Sequence, residues 1–359
     1  AVVWNRQTLV SPTKAIVWQD RRTADLTEEL NKINNGDWIR FRTGLKLDPY
    51  FTSSKFLWWK KNLPAVWAGV ESGEYALGTI DSYLCARISG GALHITDATN
   101  ASRTQLMNLE TCNWDPELLA AFGIPISALP TIVPNWGNFG PSDPKHFLGL
   151  EIPITGMAGD QQAALFGQCG FEVGDSKSTY GTGAFILTNT GTEIKHSEHG
   201  LLATMAYLTP TGEKVYAIEG SVFVAGAAVQ WLRDSLGMIQ KSAEVEELAL
   251  SSGSSHGVTF VPALTGLGAP YWDPQARGTL MGLTRGSDRG AIAYATLEGI
   301  AFSKARRTAL GARPWLRASI SSSRTCASSR NWSAARSRMR PAGSPKAGRS
   351  LIRAPSCSG

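Results

Sequence analysis

One carboxylate in the sequence stands where it could move a proton. Asp160 lies in the stretch PITGMAGDQQAALFGQ, residues 153–168, between a glycine-containing turn and a run typical of a helix. Aspartate is a favourable N-cap residue that stabilises a helix by about 1 kcal/mol. A carboxylate at the carboxyl end of a strand is also where α/β sheets place reacting groups. The local pattern favours the cap, and the proton-transfer role stays open beside it.

A tight turn with two glycines is the second candidate. The stretch GDSKSTYGTGAFILTNTGT, residues 174–192, has strand-like runs on both sides of Gly181-Thr182-Gly183 and predicts a hairpin. Glycines let backbone amides approach phosphate oxygens closely, although many hairpins use such a turn for structural reasons alone. The sequence contains neither the GxxxxGK(S/T) pattern of P-loop proteins nor the HRD and DFG pairs of protein kinases. Nucleotide binding would therefore require another architecture.

Three segments place aromatic residues beside Asp and Pro or Gly. They are IVWQDRRT (16–23), GLKLDPYF (44–51) and GLGAPYWDPQARG (266–278). A buried tyrosine needs a hydrogen-bond partner, and a small polyol would supply one. Aromatic packing beneath a loop explains each segment equally well, so both interpretations stay open.

The elements that must position these residues alternate between strands and helices. The patterns predict strands at 14–20 and 211–220, and a strand that ends before Asp160. They predict helices at 21–33, 56–70 (broken), 221–236 (capped by Ser221), 243–253 (ended by Gly253) and 291–310. We therefore expect α/β layers with more than one sheet, and a boundary near CGFEVG, residues 169–174. The predicted domains are 1–170, 171–310 and a tail at 311–359.

Composition excludes several classes of protein. The 359 residues suffice for one large or two medium domains, and no apolar run approaches the roughly 20 residues that span a bilayer. The five cysteines are odd in number and never form CxxC, which argues against a zinc site or a disulfide framework. We therefore expect a cytoplasmic protein that makes no membrane contact.

The net charge of +6 comes from the tail alone. Residues 311–359 carry ten of the 35 Lys and Arg residues and no acid, so residues 1–310 hold 25 basic against 29 acidic residues. The tail also contains 12 serines and lacks the periodicity of a packed element. A nucleic-acid arm is the sharper hypothesis, but the abrupt change favours a disordered or frame-shifted tail, and nucleic acid is not expected as a partner.

Seven motifs, taken in order, resemble the FGGY carbohydrate kinases and, within that family, the glycerol kinases. They are IVWQDRRT, GLKLDPYF, TDATNASRT, GMAGDQQAALFGQ, STYGTGAFILTNTG, EGSVFVAGAAVQWLRD, and GLGAPYWDPQARG followed by GLTRG. The resemblance runs from about residue 1 to about residue 305. It implies an actin-like, ribonuclease-H-type α/β fold of two domains around a cleft. It also implies ATP-dependent phosphorylation of glycerol to sn-glycerol 3-phosphate.

The resemblance assigns roles residue by residue. Asp160 would be the general base that takes the proton of the attacking hydroxyl, with Gln161 beside it. Three aromatic residues, Trp18, Tyr50 and Phe185, would surround the polyol. Thr182 would contact the nucleotide phosphates, and Gly226 and Gln230 would lie on the adenosine side. Mg²⁺ would bridge the phosphates of ATP, no protein ligand to the metal is identified, and a homodimer or homotetramer is implied.

Some parts of the family pattern do not occur in this sequence. The Asp-x-Gly-Thr-Thr phosphate hairpin, the Arg-Glu pair that binds glycerol and the adenine-binding turn are not found, so we expect a fold incomplete at both ends. The segment NFGPSDPKHFLGLEIP lacks the Gly-Gly-x-Arg loop that binds a sugar-bisphosphate inhibitor, so that regulation is not expected. Two alternatives stay open: a kinase of another polyol or ketose, such as erythritol or xylulose, and a non-catalytic truncated product.

Overall fold

A computed structural model describes residues 1–34 and 36–311, in which strands and helices alternate. The strands are β1 (Val2–Asn5), β2 (Tyr75–Gly78), β3 (Ile95–Asp97), β4 (Met107–Asn108), β5 (Asn113–Trp114), β6 (Thr131–Val133), β7 (Ser176–Tyr180), β8 (Ala184–Gly191), β9 (Leu202–Leu208), β10 (Lys214–Val222), β11 (Thr259–Val261) and β12 (Thr279–Met281). The helices are α1 (Ala24–Asn34), α2 (Asp37–Thr43), α3 (Thr52–Asn62), α4 (Pro64–Glu71), α5 (Ile80–Ile88), α6 (Ala98–Ala101), α7 (Pro116–Phe122), α8 (Asp160–Gly167), α9 (Gly226–Asp234), α10 (Val245–Ser252) and α11 (Arg289–Gly311). Short 3₁₀ turns lie at Ile126–Ala128 and Ser242–Glu244.

The first part of the chain folds around an apolar cluster. Phe56 and Trp59 of α3 pack there with Trp67 of α4 and Leu118 of α7. Helices α3 and α4 are separate because Pro64 has no amide hydrogen to continue a helix, whereas the first turn of a new helix tolerates it. Burying each such side chain contributes about 1.5–3 kcal/mol, so this cluster holds the surrounding helices in place.

A four-stranded antiparallel sheet, in the order β7-β8-β10-β9, organises the second part. Lys177 of β7 and Glu219 of β10 both lie opposite Leu187 of β8, so the three side chains share one face. Leu187 is fully buried against Leu165 of α8. An ammonium and a carboxylate therefore flank the contact between this sheet and the helix that begins at Asp160.

The two parts of the chain meet closely at Gly44, which follows α2. Its φ of +74° lies in the left-handed region, and a Cβ there would lie 2.2 Å from the carbonyl oxygen of Ala203. The backbone amide of Ala203 in β9 donates a hydrogen bond of 3.0 Å to the Gly44 carbonyl. Only glycine fits this approach, which fixes α2 against the four-stranded sheet.

Several predicted elements are confirmed. Helix α1 begins at Ala24, three residues into the predicted range of 21–33, and the break at Pro64 divides the predicted helix at 56–70. Helix α10 ends at Ser252, and Gly253 follows it in the left-handed conformation. Helix α11 contains the stretch predicted at 291–310, and β7 and β8 form the predicted hairpin. In the part of the chain that the structure describes, no helix is long and apolar enough to cross a membrane.

Three element predictions are wrong. Residues 14–20 form no strand, because only Ile16 pairs, exchanging two backbone hydrogen bonds with Ala1 just before β1. The pairing does not continue, and Trp18 packs in an aromatic cluster instead. The stretch before Asp160 forms only isolated bridges, such as Trp136 with Gly156. Ser221 does not cap a helix: it lies in β10, fully buried, and donates a hydrogen bond to Glu219.

The predicted division into domains at residue 170 stays a prediction. The described residues all fall within one compact unit. The predicted tail lies outside the described residues from position 312 onward.

Candidate functional site

Asp160 is the first residue of α8 and does not occupy the cap position. The cap is Gly159, which has no side chain to offer, so the interpretation of Asp160 as an N-cap is wrong. The exposed carboxylate accepts hydrogen bonds from the backbone amide of Gln161 at Oδ1 (2.8 Å) and from its side-chain Nε2 at Oδ2 (3.1 Å). An acid in the first turn is favoured by the helix dipole, and each oxygen keeps capacity to accept a further hydrogen bond.

The loop before Asp160 is held by buried polar groups. Thr99 Oγ1 accepts a hydrogen bond of 2.8 Å from the Gly159 amide, and Asn135 Nδ2 donates one of 3.0 Å to the Met157 carbonyl. Asp97 accepts hydrogen bonds from the Thr99 amide and from Asn135, both at 2.7 Å. Burial raises the pKa of Asp97 to about 6. This network fixes the direction in which α8 begins.

Gln161 contacts a buried lysine that the sequence analysis did not identify. Lys177 is 2% exposed, and its Nζ donates hydrogen bonds to Gln161 Oε1 and, at 2.9 Å, to Thr179 Oγ1. Burial lowers the pKa of Lys177 to about 8, while the charges of Glu219 and Asp160 act in the opposite direction. The carboxylate predicted to be the base therefore shares its surroundings with an ammonium group.

The three aromatic residues predicted to surround a polyol lie together. The ring of Trp18 meets those of Tyr50 and Phe185 edge to face, with centroids 5.5 and 5.7 Å apart. Phe223 extends the cluster, 5.4 Å from Tyr50, and Trp272 packs at its edge, 6.0 Å from Phe223. Phe223 and Trp272 belong to two of the seven motifs, but neither residue was predicted to take part in the site.

A buried ion pair packs against the Tyr50 ring of this cluster. Arg103 Nη2 donates a hydrogen bond of 3.0 Å to Glu219 Oε1, and the guanidinium lies over the ring of Tyr50. Glu219 is 1% exposed, and its second oxygen, Oε2, has no hydrogen-bond partner. Burial raises the pKa of Tyr50, and the charges of Glu219 and Asp160 add to that direction. Arg103 and Glu219 were also missed, although both occur in the quoted motifs TDATNASRT and EGSVFVAGAAVQWLRD.

The glycine turn rests directly on the start of α9. The amides of Ala225 and Gly226 donate hydrogen bonds of 2.8 and 2.9 Å to the carbonyls of Thr182 and Gly181. A Cβ on Gly226 would lie 2.6 Å from the Gly181 carbonyl oxygen, so the approach requires glycine there. Gln230 is exposed one turn further along α9. The structure thus brings together the three residues predicted to bind nucleotide.

No residue is assigned here as a magnesium ligand. Within residues 1–34 and 36–311, no group of three or more His, Cys, Asp or Glu side chains is placed to hold a metal ion. Mg²⁺ keeps several waters and is commonly bound through one or two carboxylates together with substrate phosphates. The lack of a three-ligand group among the described residues therefore does not bear on an ion bound mainly through phosphates.

A cavity of about 470 Å³ lies beside α8 but contains none of the predicted site residues. Its walls are largely apolar and include the rings of Trp136, Phe166 and Tyr207 together with Met157 and Gln162. A polyol or a phosphate needs more hydrogen-bond partners than this lining offers. The cavity is therefore not the candidate site.

Comparison with known families gives matches to most of the chain. The N-terminal domain of the FGGY family of carbohydrate kinases matches residues 1–167, and the C-terminal domain of the same family matches residues 177–310. Asp160 lies near the end of the first match, and the glycine turn lies in the second.

Individual proteins are similar over the same region. Glycerol kinases from Bdellovibrio bacteriovorus and Thermus brockianus are 51% and 52% identical to this chain over 300 and 302 residues. These alignments cover 84% of this chain but 61% and 60% of the two relatives, so the chain spans about three fifths of their length. The crystal structure of Plasmodium falciparum glycerol kinase with ADP is similar at a TM-score of 0.73 and 38% identity, covering 84% of this chain and 60% of that one.

Proposed function

The chain belongs to the FGGY family of carbohydrate kinases, and we propose that its site transfers the γ-phosphoryl group of ATP to glycerol. The described residues adopt that family's actin-like, ribonuclease-H-type fold. The observation that carries the proposal is the position of Asp160, exposed at the start of α8 and joined through Gln161 to Lys177. Lys177 shares a face of the sheet with Glu219, whose partner Arg103 lies over the ring of Tyr50 in the aromatic cluster. A base beside an aromatic cluster suits a substrate that has both hydroxyls and a carbon face.

In the proposed reaction, Asp160 accepts the proton of a primary hydroxyl of glycerol. The hydroxyl oxygen forms a bond to the γ-phosphorus, the bond from that phosphorus to the bridging oxygen breaks, and ADP leaves with the electron pair. Gln161 holds the carboxylate through two hydrogen bonds, and each oxygen keeps a further lone pair that can accept the substrate proton. A positioned base of this kind contributes about 10²- to 10⁴-fold in rate.

We propose that Trp18, Tyr50 and Phe185 contact the carbon face of glycerol. Their rings present apolar surface with fixed mutual geometry, because each contacts at least one other. The phenol of Tyr50 can donate or accept a hydrogen bond to a substrate hydroxyl. The Arg103–Glu219 pair keeps Tyr50 in place from below.

We propose that the glycine turn and α9 bind the nucleotide. Thr182 is exposed on the turn, so its hydroxyl is free to meet a phosphate oxygen, and Gly226 and Gln230 lie along the adjoining face of α9. Phosphoryl transfer depends mainly on positioning and on neutralising charge. Mg²⁺ held by the nucleotide phosphates would supply part of that neutralisation. No step above depends on a protein ligand to the ion.

A coupled assay for ADP formation tests the proposal. We expect turnover that requires both ATP and glycerol, with much lower kcat/KM for xylulose and erythritol. Asp160→Asn should lower kcat by about 10²-fold or more without unfolding the protein, because the side chain is exposed. A matched control is Glu246→Gln, an exposed acid on α10, which should leave turnover unchanged. Full turnover in Asp160→Asn would contradict the base assignment, and glycerol binding without turnover would favour a non-catalytic product.

We also propose that the protein is cytoplasmic and acts as a homodimer or homotetramer, as the family resemblance implies. Several large apolar side chains are exposed near the end of α8, including Phe166, Phe171 and Val173, and a second copy would shield them. Light scattering after gel filtration should give two or four times the chain mass. A monomer at micromolar concentration would contradict the proposed assembly.

A further inference from the structure

We propose that Lys177 is a positioning residue of the same reaction, acting on Asp160 through the side-chain amide of Gln161. The inference rests on the proposed function, because it concerns how the base of that reaction is oriented. Lys177 makes no hydrogen bond to Asp160 itself and lies on β7, whereas Asp160 begins α8.

The contacts form a chain of two side-chain hydrogen bonds. Lys177 Nζ donates a hydrogen bond to Gln161 Oε1. Gln161 Nε2 in turn donates a hydrogen bond of 3.1 Å to Asp160 Oδ2. The second oxygen, Oδ1, receives the backbone amide of Gln161 at 2.8 Å. Both carboxylate oxygens are therefore held by one residue, whose side chain is held by Lys177.

The charge on Lys177 decides which way the Gln161 amide faces. An ammonium group has three donors and no acceptor, so the atom of Gln161 that meets it must be the oxygen. The amide nitrogen is then directed at Asp160, an acceptor, which gives a favourable contact at both ends. With an apolar residue at position 177, nothing would hold the Gln161 oxygen, so the side chain could swing away from the carboxylate and leave Oδ2 without its donor.

The surroundings of Lys177 keep it in one place. It is 2% exposed on the face of the sheet that packs against α8, and Thr179 Oγ1 accepts a further hydrogen bond from it at 2.9 Å. Two carboxylates act on its charge: Asp160 from α8 and Glu219 from β10. Both favour the ammonium, while burial opposes it and lowers the pKa of Lys177 to about 8.

Loss of the proton from Lys177 should weaken its hydrogen bond to the side-chain amide of Gln161. Neutral lysine can accept a hydrogen bond, so the restraint on Gln161 weakens as the pH rises through about 8. We expect the side-chain amide resonances of Gln161, measured by NMR on the full chain without ligands, to titrate with a midpoint near pH 8. In Lys177→Met these resonances should show no such titration. A Gln161 amide that responds to neither pH nor the substitution would overturn the proposal.

Steady-state kinetics of Lys177 variants give a second test of the proposal. Lys177→Met should lower kcat by up to about 10²-fold, since misplacing a reacting group by about 1 Å can cost that much, while KM for glycerol changes little. Lys177→Arg should restore most of the activity and carry the alkaline limb of the pH profile to higher pH, because guanidinium does not deprotonate in this range. Lys61→Met, at an exposed position on α3, is the matched control and should behave as the parent.

A double substitution separates positioning from an independent effect. Gln161→Leu removes the amide, so in that background Lys177→Met should cost almost nothing further. An equal loss in both backgrounds would show that Lys177 acts without Gln161 and would overturn the inference. If even the parent chain transfers no phosphoryl group, the proposed function fails, whereas the NMR titration still decides whether Lys177 orients Gln161.

Discussion

Arg103 donates a hydrogen bond of 3.0 Å to Glu219, although 116 positions separate the two residues along the chain. The pair joins the loop after α6 to strand β10, and the Arg103 guanidinium lies 5.5 Å from the ring centre of Tyr50. The side chains are 18% and 1% exposed, so water screens their attraction only weakly. The candidate binding site therefore packs, through Tyr50, against an ion pair that also joins two distant parts of the fold.

Breaking this pair should destabilise the protein strongly. Arg103→Met leaves the Glu219 carboxylate buried without its partner, which typically costs about 3–5 kcal/mol. Urea unfolding of the parent and the variant measures the difference. The double variant Arg103→Met with Glu219→Met should recover part of the loss, because no unpaired charge stays buried. A single variant as stable as the parent would show that the pair contributes nothing.

Gly226 should be essential for nucleotide affinity. A methyl group there would lie 2.6 Å from the Gly181 carbonyl oxygen and would push the turn away from α9. Such overpacking typically costs about 1–3 kcal/mol, so Gly226→Ala should raise KM for ATP about tenfold while KM for glycerol changes less. Gly286→Ala is the control, because an added Cβ there would lie an ordinary 3.8 Å from the Thr284 hydroxyl oxygen. Equal KM values for ATP in the two variants would argue against this placement of the nucleotide.

Trp18 should report on glycerol. Its edge-to-face contacts with Tyr50 and Phe185 are each worth about 0.5–1.5 kcal/mol, so Trp18→Leu should loosen the cluster and weaken glycerol binding about tenfold. Titrating the parent with glycerol in the absence of nucleotide should change its tryptophan fluorescence, and Trp18→Leu should lose that change. Trp58→Leu, on α3 outside the cluster, should retain it. A signal that survives in Trp18→Leu would place glycerol elsewhere.

Stability should fall on the acid side through His94. Its ring nitrogens lie 3.1 Å from the Leu77 carbonyl oxygen and 3.1 Å from Arg6 Nη1, so the neutral ring donates to the former and accepts from the latter. Burial, with Arg6 adding to it, lowers the pKa of His94 from 6.5 to about 4. The unfolded chain therefore binds a proton at a higher pH than the folded one. The stabilisation is complete above pH 6.5 and is lost as the pH falls toward 4, a change of about 3 kcal/mol.

Comparing the free energy of unfolding at pH 7 and pH 4.5 isolates this effect. His94→Gln keeps a donor and an acceptor but cannot titrate, so its stability should depend less on pH than that of the parent. His199→Gln, at an exposed position, serves as the control. Asp97, with its pKa raised to about 6, acts in the opposite direction in both proteins and cancels in the comparison. Identical pH dependence in His94→Gln and the parent would contradict the prediction.

The sequence predicted helices better than it predicted the contacts of the site. Helix α10 and its end at Gly253 follow from periodicity and from glycine's tolerance of the left-handed conformation, both of which are local properties. Residues 14–20 looked equally regular, but a strand needs a continuous partner, and only Ile16 pairs there, with Ala1. Ser221 resembled a cap because the apolar run after it is helical in composition. The ladder of β10 continues through Val222 instead.

The site residues also divide into those that local sequence reveals and those that depend on contacts between distant positions. Asp160 and the glycine turn were found because their motifs are contiguous in the sequence. Lys177 and Arg103 were missed because what distinguishes them is distance: one meets Gln161, 16 positions away, and the other meets Glu219, 116 positions away. Pairing of this kind depends on strand register and on how a helix packs against a sheet, which a single sequence does not reveal.

The aromatic cluster contains residues that come before and after the exposed loop at 169–174 in the sequence. Trp18 and Tyr50 precede that loop, whereas Phe185 and Phe223 follow it. In a chain cut once within the loop, neither piece would contain the complete proposed glycerol pocket, and pocket formation would obey mass action between two molecules. Glycerol would then act as a ligand that joins the pieces. By linkage, the factor by which it tightens their association would equal the factor by which association tightens its own binding.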